Sequence, residues 1–140
     1  RVLAQDEPGS RTRLIEEFRE SETGVLIGTS SFWQGIDIPG SALAHVIITR
    51  LPFEVPGQPI IEARLDRLRL EGKDPFYDES LPKAVLRFKQ GIGRLIRRNT
   101  DCGVVSILDS RIVRRPYGKA FLDALPPGVE AQPLPYLNQM

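Results

Sequence analysis

Apolar residues along the chain fall into two rhythms. Between residues 11 and 22, Leu14, Ile15 and Phe18 recur on one stripe with charges opposite, which predicts an amphipathic helix. A Pro8-Gly9 turn precedes it, and Ser10 is its expected N-cap. Residues 60–70 predict a second helix, with Ile61, Leu65 and Leu68 facing the core. Residues 81–98 predict a long third helix, and 117–125 a short fourth. Residues 24–29, 44–49 and 103–108 are instead short continuous apolar runs, the pattern of strands covered on both faces. Val2, Leu3 and Ala4 add a short strand at the start. Residues 51–59 hold three prolines and one glycine and read as a loop, as do 71–80 and the polar, glycine-bearing stretch 30–40. The proline-rich end, 126–140, reads as a surface arm.

Strands that alternate with helices pair in parallel, so the expectation is an α/β layered fold whose ligands gather at the carboxyl ends of the strands. A chain of 140 residues suits one such domain. No run of about 18 apolar residues offers a membrane span, and no signal-peptide pattern opens the chain, so a cytoplasmic location is the default. The first residue is Arg1 rather than Met, which reads as a segment of something longer. The single cysteine, Cys102, excludes an internal disulfide and an all-cysteine metal or iron–sulfur site within one chain. At the start of an apolar strand it reads as a small core residue, and His45 as a strand residue rather than a ligand.

Charge changes this picture. Residues 1–80 carry 9 Lys and Arg against 14 Asp and Glu, a balance of −5; residues 81–140 carry 10 against 4, a balance of +6. Between Lys83 and Arg98 there are six basic residues and no acid. Such asymmetry suits a polyanion partner, and equally a solvated helix face.

Two segments break the ordinary rules of an α/β scaffold. In the first, Thr29, Ser30 and Ser31 follow an apolar strand and lead into Phe32-Trp33-Gln34-Gly35-Ile36-Asp37-Ile38-Pro39-Gly40. Hydroxyls and backbone N–H groups at a strand end can hold phosphate oxygens, and Asp37 can accept from a ribose hydroxyl. The same residues also read as helix caps, a core tryptophan and a capped turn. In the second, Gln90-Gly91-Ile92-Gly93-Arg94-Leu95-Ile96-Arg97-Arg98, two glycines stand inside a helix at a cost of about 1 kcal/mol each. Arg94 and Arg97, three apart, project from one face, where two guanidinium forks suit a polyphosphate. An exposed basic helix with glycines packed on the sheet fits the residues as well.

Taken together the two segments carry a resemblance. Gln90-x-x-Gly93-Arg94-x-x-Arg97 resembles motif VI of superfamily 2 helicases, and the segment from Thr29 to Gly40 resembles motif V in its DinG/XPD-like form. Arg50-Leu51-Pro52-Phe53 after the middle strand and Asp109-Ser110-Arg111 after the last one fit the same family. The resemblance spans residues 1–125 and implies a second RecA-like domain: a three-layer fold with a mainly parallel central sheet, truncated at its N-terminal edge, with 126–140 as a tail. It implies a DNA helicase that clamps ATP and Mg²⁺ between two RecA-like domains of one parent chain and walks along single-stranded DNA, with no membrane partner. Arg97 would be an arginine finger with Arg94 beside it, and Gln90 and Gly93 would meet the nucleotide. Gly35 and Asp37 would couple nucleotide to DNA, and Thr29, Ser30 and Ser31 would meet the DNA backbone.

The sequence also departs from a whole motor. It has no G-x-x-x-x-G-K-[ST] loop, no Asp-Glu-x-His motif and no motif IV, and Gln34 stands where many relatives have Glu. The phosphate-binding loop, the Asp-Glu-x-His motif and the iron–sulfur cluster of many relatives belong to the first domain, whereas motif IV belongs to the strand and helix that usually open the second. A nucleic-acid-binding or partner-docking module that does not hydrolyse ATP is the rival reading. An RNA helicase is another, and the motif V residues speak against it.

Overall fold

The computed structural model describes residues 1–5, 10–21, 23–29, 38, 43–55, 57–93 and 102–133. Strand β1 (Val2–Ala4) pairs in parallel with β2 (Val25–Ile27), in the register Val2 to Val25, Leu3 to Leu26 and Ala4 to Ile27. Helix α1 (Arg11–Glu20) connects them on one side. Ser10 caps it as expected, its side chain accepting from the Arg13 N–H at 3.2 Å. Leu14 and Phe18 are buried with Leu3 and Ile38, and Leu26 packs against that cluster. Gly24 lies close under α1: a Cβ there would lie 2.9 Å from the Ser21 Oγ and 3.3 Å from the Phe18 ring, so a side chain would have to displace Ser21.

Strand β3 (His45–Ile48) pairs in parallel with β4 (Val104–Ile107), from His45 to Val104 through Ile48 to Ile107. Between them run α2 (Pro59–Leu70), a π-helical turn (Phe76–Ser80) and α3 (Leu81–Ile92). Helix α3 buries Leu81, Ala84, Phe88, Gly91 and Ile92. Together with Ile48, Leu51, Ile112 and Phe121 most of these form the larger core. After β4 the chain makes two short helices, α4 (Arg111–Arg114) and α5 (Gly118–Asp123). They meet closely: a Cβ on Gly118 would stand 2.0 Å from the Ile112 carbonyl oxygen, so only glycine fits.

The structure departs from several expectations. The parallel pairing is found, but the described strands form two separate pairs rather than one sheet. Each pair is covered by described residues on one face only: Val25 and Ile27 are more than half exposed, as are Ile47 and Val104. Alternation explains this, since Leu26 packs on α1 while its two neighbours point the other way. Helix α2 begins at Pro59, and its Ile61, Leu65 and Leu68 are half-buried rather than core. The 71–80 loop contains the π-helical turn, and α4 lies where the apolar rhythm predicts no helix. Gly93 is the C-cap of α3 rather than an interior position; Gly91 is interior and buried. Cys102 is exposed, ahead of β4, not a core residue. His45 does lie in its strand, its Nε2 2.9 Å from the Ser106 Oγ. Among the described residues no helix is long and apolar enough to cross a membrane.

Candidate functional site

Because β3 and β4 are parallel, the segments that leave them emerge on the same edge. Asp109 binds the two together. It follows β4, is buried, and its Oδ2 accepts from the backbone N–H of Leu51 at 2.9 Å, just after β3. The same carboxylate receives the Arg111 guanidinium in a fork: Nη2 donates to Oδ2 at 2.6 Å and Nε to Oδ1 at 2.9 Å, while the Arg111 backbone N–H donates to Oδ1 at 3.1 Å. The Arg111 Cζ lies 5.5 Å above the Phe53 ring centroid, and Phe53 packs on Phe76, Tyr117 and Phe121. The guanidinium fork, against the opposing effect of burial and with help from the two backbone N–H groups, holds the Asp109 carboxyl down at about 2. The same pairing raises Arg111 above the ordinary arginine value.

This clamp shapes an open cleft of about 410 Å³ lined by Thr49, Arg50, Leu108, Asp109, Ser110 and Arg111. Ligands of parallel α/β folds gather at such an edge. In the sequence these two segments stand out only by resemblance. The bond between them is not predicted there, although an Asp directly after an apolar strand, with Arg two residues on, is its visible signature.

Since the folded Asp109 carboxyl lies below its ordinary value of 3.8, its contribution to stability is fully present above about pH 4 and is lost as pH falls through about 2. Asp109→Asn keeps the shape, removes the charge and leaves a partner donor opposed by an amide. It should cost about 2 kcal/mol at pH 7, and the gap to wild type should close on acidification to pH 2. Urea denaturation of both proteins at the two pH values measures this; a gap of the same size at each would refute the charge argument.

The other candidates divide into described and undescribed. Gln90 is exposed on the last turn of α3, on the side away from the buried Phe88 and Ile92. Gly93, next to it, is half-buried, its N–H donating to the Lys89 carbonyl at 2.9 Å, and a Cβ there would stand 3.2 Å from that same oxygen. Thr29 is exposed at the end of β2, where both its N–H and its hydroxyl donate to the Gln5 Oε1 at 2.9 Å. That tie joins the strand end of β2 to the segment after β1, so part of Thr29's hydrogen-bonding capacity already serves the fold. Ser30, Ser31, Gly35, Asp37, Arg94 and Arg97 lie outside the described residues. Among the described residues no group of three or more His, Cys, Asp or Glu is arranged to hold a metal ion.

A family model described as a helicase C-terminal domain matches residues 1–128. The chain is similar to the ATP-dependent DNA helicase YoaA of Haemophilus influenzae, 50% identical over 125 residues that cover 89% of this chain and 19% of that protein. The YoaA of Escherichia coli is 48% identical over 126 residues, 90% of this chain and 20% of that protein. A Bacillus subtilis protein named 3'-5' exonuclease DinG is 49% identical over 118 residues, 84% of this chain and 13% of that protein. The chain thus spans a fifth or less of the length of these curated relatives.

Proposed function

The chain belongs to the helicase C-terminal domain family, and from that membership we propose that it is the second RecA-like motor domain of a DinG-like ATP-dependent DNA helicase. Residues 1–125 form that domain, a three-layer fold on a mainly parallel sheet, and 126–140 its tail. The whole protein couples ATP hydrolysis to movement along single-stranded DNA and to duplex unwinding. The observation that carries this reading is the near-50% identity to named DNA helicases across segments that include both distinctive motifs. The structure adds support from α3, whose apolar face is locked in the core while Gln90 stands exposed at its end.

In this reading ATP lies between this domain and the first RecA-like domain of the same chain. Gln90 and the backbone at Gly93 meet the nucleotide, with Gly35 and Asp37 in the loop that relays its state to DNA. Arg94 and Arg97 follow Gly93 and face the phosphates, whose developing charge they stabilise during transfer. Mg²⁺, when bound, neutralises charge across the phosphates; its ligands belong mainly to the first domain, since this chain carries no G-x-x-x-x-G-K-[ST] loop. An iron–sulfur cluster, if the parent has one, belongs there too, because one cysteine cannot supply the thiolates a cluster takes. Thr29, Ser30 and Ser31 contact the DNA backbone, with Thr29 held in place through Gln5.

The test is an ATPase assay with and without single-stranded DNA. The full-length protein should hydrolyse ATP and be stimulated by DNA, while the 140-residue chain alone should show no hydrolysis above a contaminant control. Hydrolysis by this chain alone, or a full-length protein indifferent to DNA, would overturn the proposal.

A further inference from the structure

Basic residues in the first two-thirds of the described structure are largely matched by acids. Arg1 and Arg13 pair with Glu17, Arg64 and Lys83 with Glu79, Arg67 and Lys73 with Glu71, Arg69 with Asp66 and Arg87 with Glu54. The edge beyond β3 and β4 differs. Arg50, Arg114, Arg115 and Lys119 are all exposed and make no ion pair among the described residues. Asp109, the carboxylate that lines the cleft, is already neutralised by Arg111. Asp123 stands one helical turn from Lys119 without pairing to it.

These cations stand on a fixed frame. Arg50 lines the same cleft as Ser110 and Arg111. Arg114 follows Arg111 by one turn of α4, its N–H donating to the Ser110 carbonyl at 3.0 Å. The contact of Gly118 with Ile112 then locks α5, and with it Lys119, against α4. Thr49 and Ser110 add two exposed hydroxyls at the cleft. Guanidinium and ammonium groups interleaved with hydroxyls on a rigid edge are the chemistry that grips phosphodiester oxygens irrespective of sequence. Unmatched cations on such an edge gain strongly from a polyanion whose counterions they can release.

We propose that this edge, from Arg50 across the cleft to Arg114, Arg115 and Lys119, is a track for the phosphates of single-stranded DNA, in addition to the hydroxyls after β2. The proposal rests on the helicase reading and extends it to residues outside the two distinctive motifs. Arg111 serves here as a positioning residue, since its fork is committed to Asp109.

The experiment uses the full-length protein and a labelled oligothymidylate. Arg50→Gln, Arg114→Gln, Arg115→Gln and Lys119→Gln are combined, and affinity is measured over a series of salt concentrations. The slope of log affinity against log salt should become shallower by about 0.7 for each phosphate that is no longer neutralised, and the DNA concentration giving half-maximal ATPase stimulation should rise about tenfold at moderate salt. The turnover rate at saturating DNA should stay within about twofold, because none of the four meets the nucleotide. An unchanged slope and affinity, with the wild type still stimulated by DNA, overturns the track while leaving the helicase reading intact. A wild type that DNA does not stimulate overturns the reading itself. If the fourfold variant melts early, Arg114→Gln/Arg115→Gln alone decides, with a shallower slope expected and an unchanged one fatal. Loss of binding to polyglutamate with DNA affinity unaltered would assign the edge to an acidic protein and end the proposal.

Discussion

Arg97→Ala in the full-length protein is expected to lower DNA-stimulated ATP turnover by about 10³-fold or more, with far less change in KM for ATP. The reason lies in when the contact matters. A guanidinium aimed at the transferring phosphoryl group meets its greatest negative charge in the transition state, so its loss falls on kcat rather than on ground-state binding. Arg94→Ala should act in the same direction, since the proposed role gives both guanidiniums the same phosphates. Arg97→Lys should not restore activity, because an ammonium cannot reproduce the planar fork. Steady-state kinetics with saturating DNA separate the two parameters. Near-normal kcat in both alanine variants would remove these arginines from the catalytic machinery, and a raised KM with intact kcat would reassign them to nucleotide binding alone. Both residues follow Gly93, where α3 is capped. Their delivery depends on how firmly that helix is seated.

What is legible in the sequence follows from which signals are local. The stripe of Leu14 and Phe18, the cap at Ser10 and the three apolar runs are written in neighbouring residues, and the structure contains the helix, the cap and the strands. Parallel pairing can be inferred because helices intervene between strands. Burial of both faces cannot, because an apolar run records a strand's preference rather than what covers it, and Val25 and Ile27 remain exposed. The π-helical turn is hidden by Asp74-Pro75, which reads as a loop signal. In the structure Asp74 instead accepts from the Phe76 and Tyr77 N–H groups, and Phe76 packs against Phe53, more than twenty residues away. That contact is tertiary and overrides the local preference. The same holds for the candidate site. Gln90 and Gly93 stand out by local pattern, whereas the Asp109 bond to Leu51 spans a separation of 58 residues that no local rhythm encodes. Gly93 is the C-cap of α3, and the part of the expected helix beyond it, residues 94–98, lies outside the described residues.

Phe88→Ala should destabilise the chain by about 3–5 kcal/mol, the range for emptying a large aromatic from a core that cannot collapse. Phe88 is fully buried and meets Phe121 edge-on, with ring centroids 5.3 Å apart. Around it lie Ile48 of β3, Ala84 and Ile92 of α3, and Ile112 of α4, so one side chain seats α3 against both the strand pair and the last two helices. Those elements are themselves pinned by the Asp109 clamp and by the Gly118 contact with Ile112, which leaves little freedom to fill the void. Part of the loss is aromatic geometry rather than area, worth about 0.5–1.5 kcal/mol for an edge-to-face pair. Phe88→Leu, which retains most of the volume, should therefore recover the larger share and leave a deficit of that smaller order. The functional consequence separates seating from chemistry. Phe88 lies two residues before Gln90 and touches no nucleotide, so the alanine variant should reduce ATP turnover by loosening α3, and the leucine variant should restore it. Urea denaturation read alongside ATPase rates provides the comparison. A Phe88→Ala protein within about 1 kcal/mol of wild type would mean that the core relaxes around the void, and α3 would then not be held as firmly as its buried face implies.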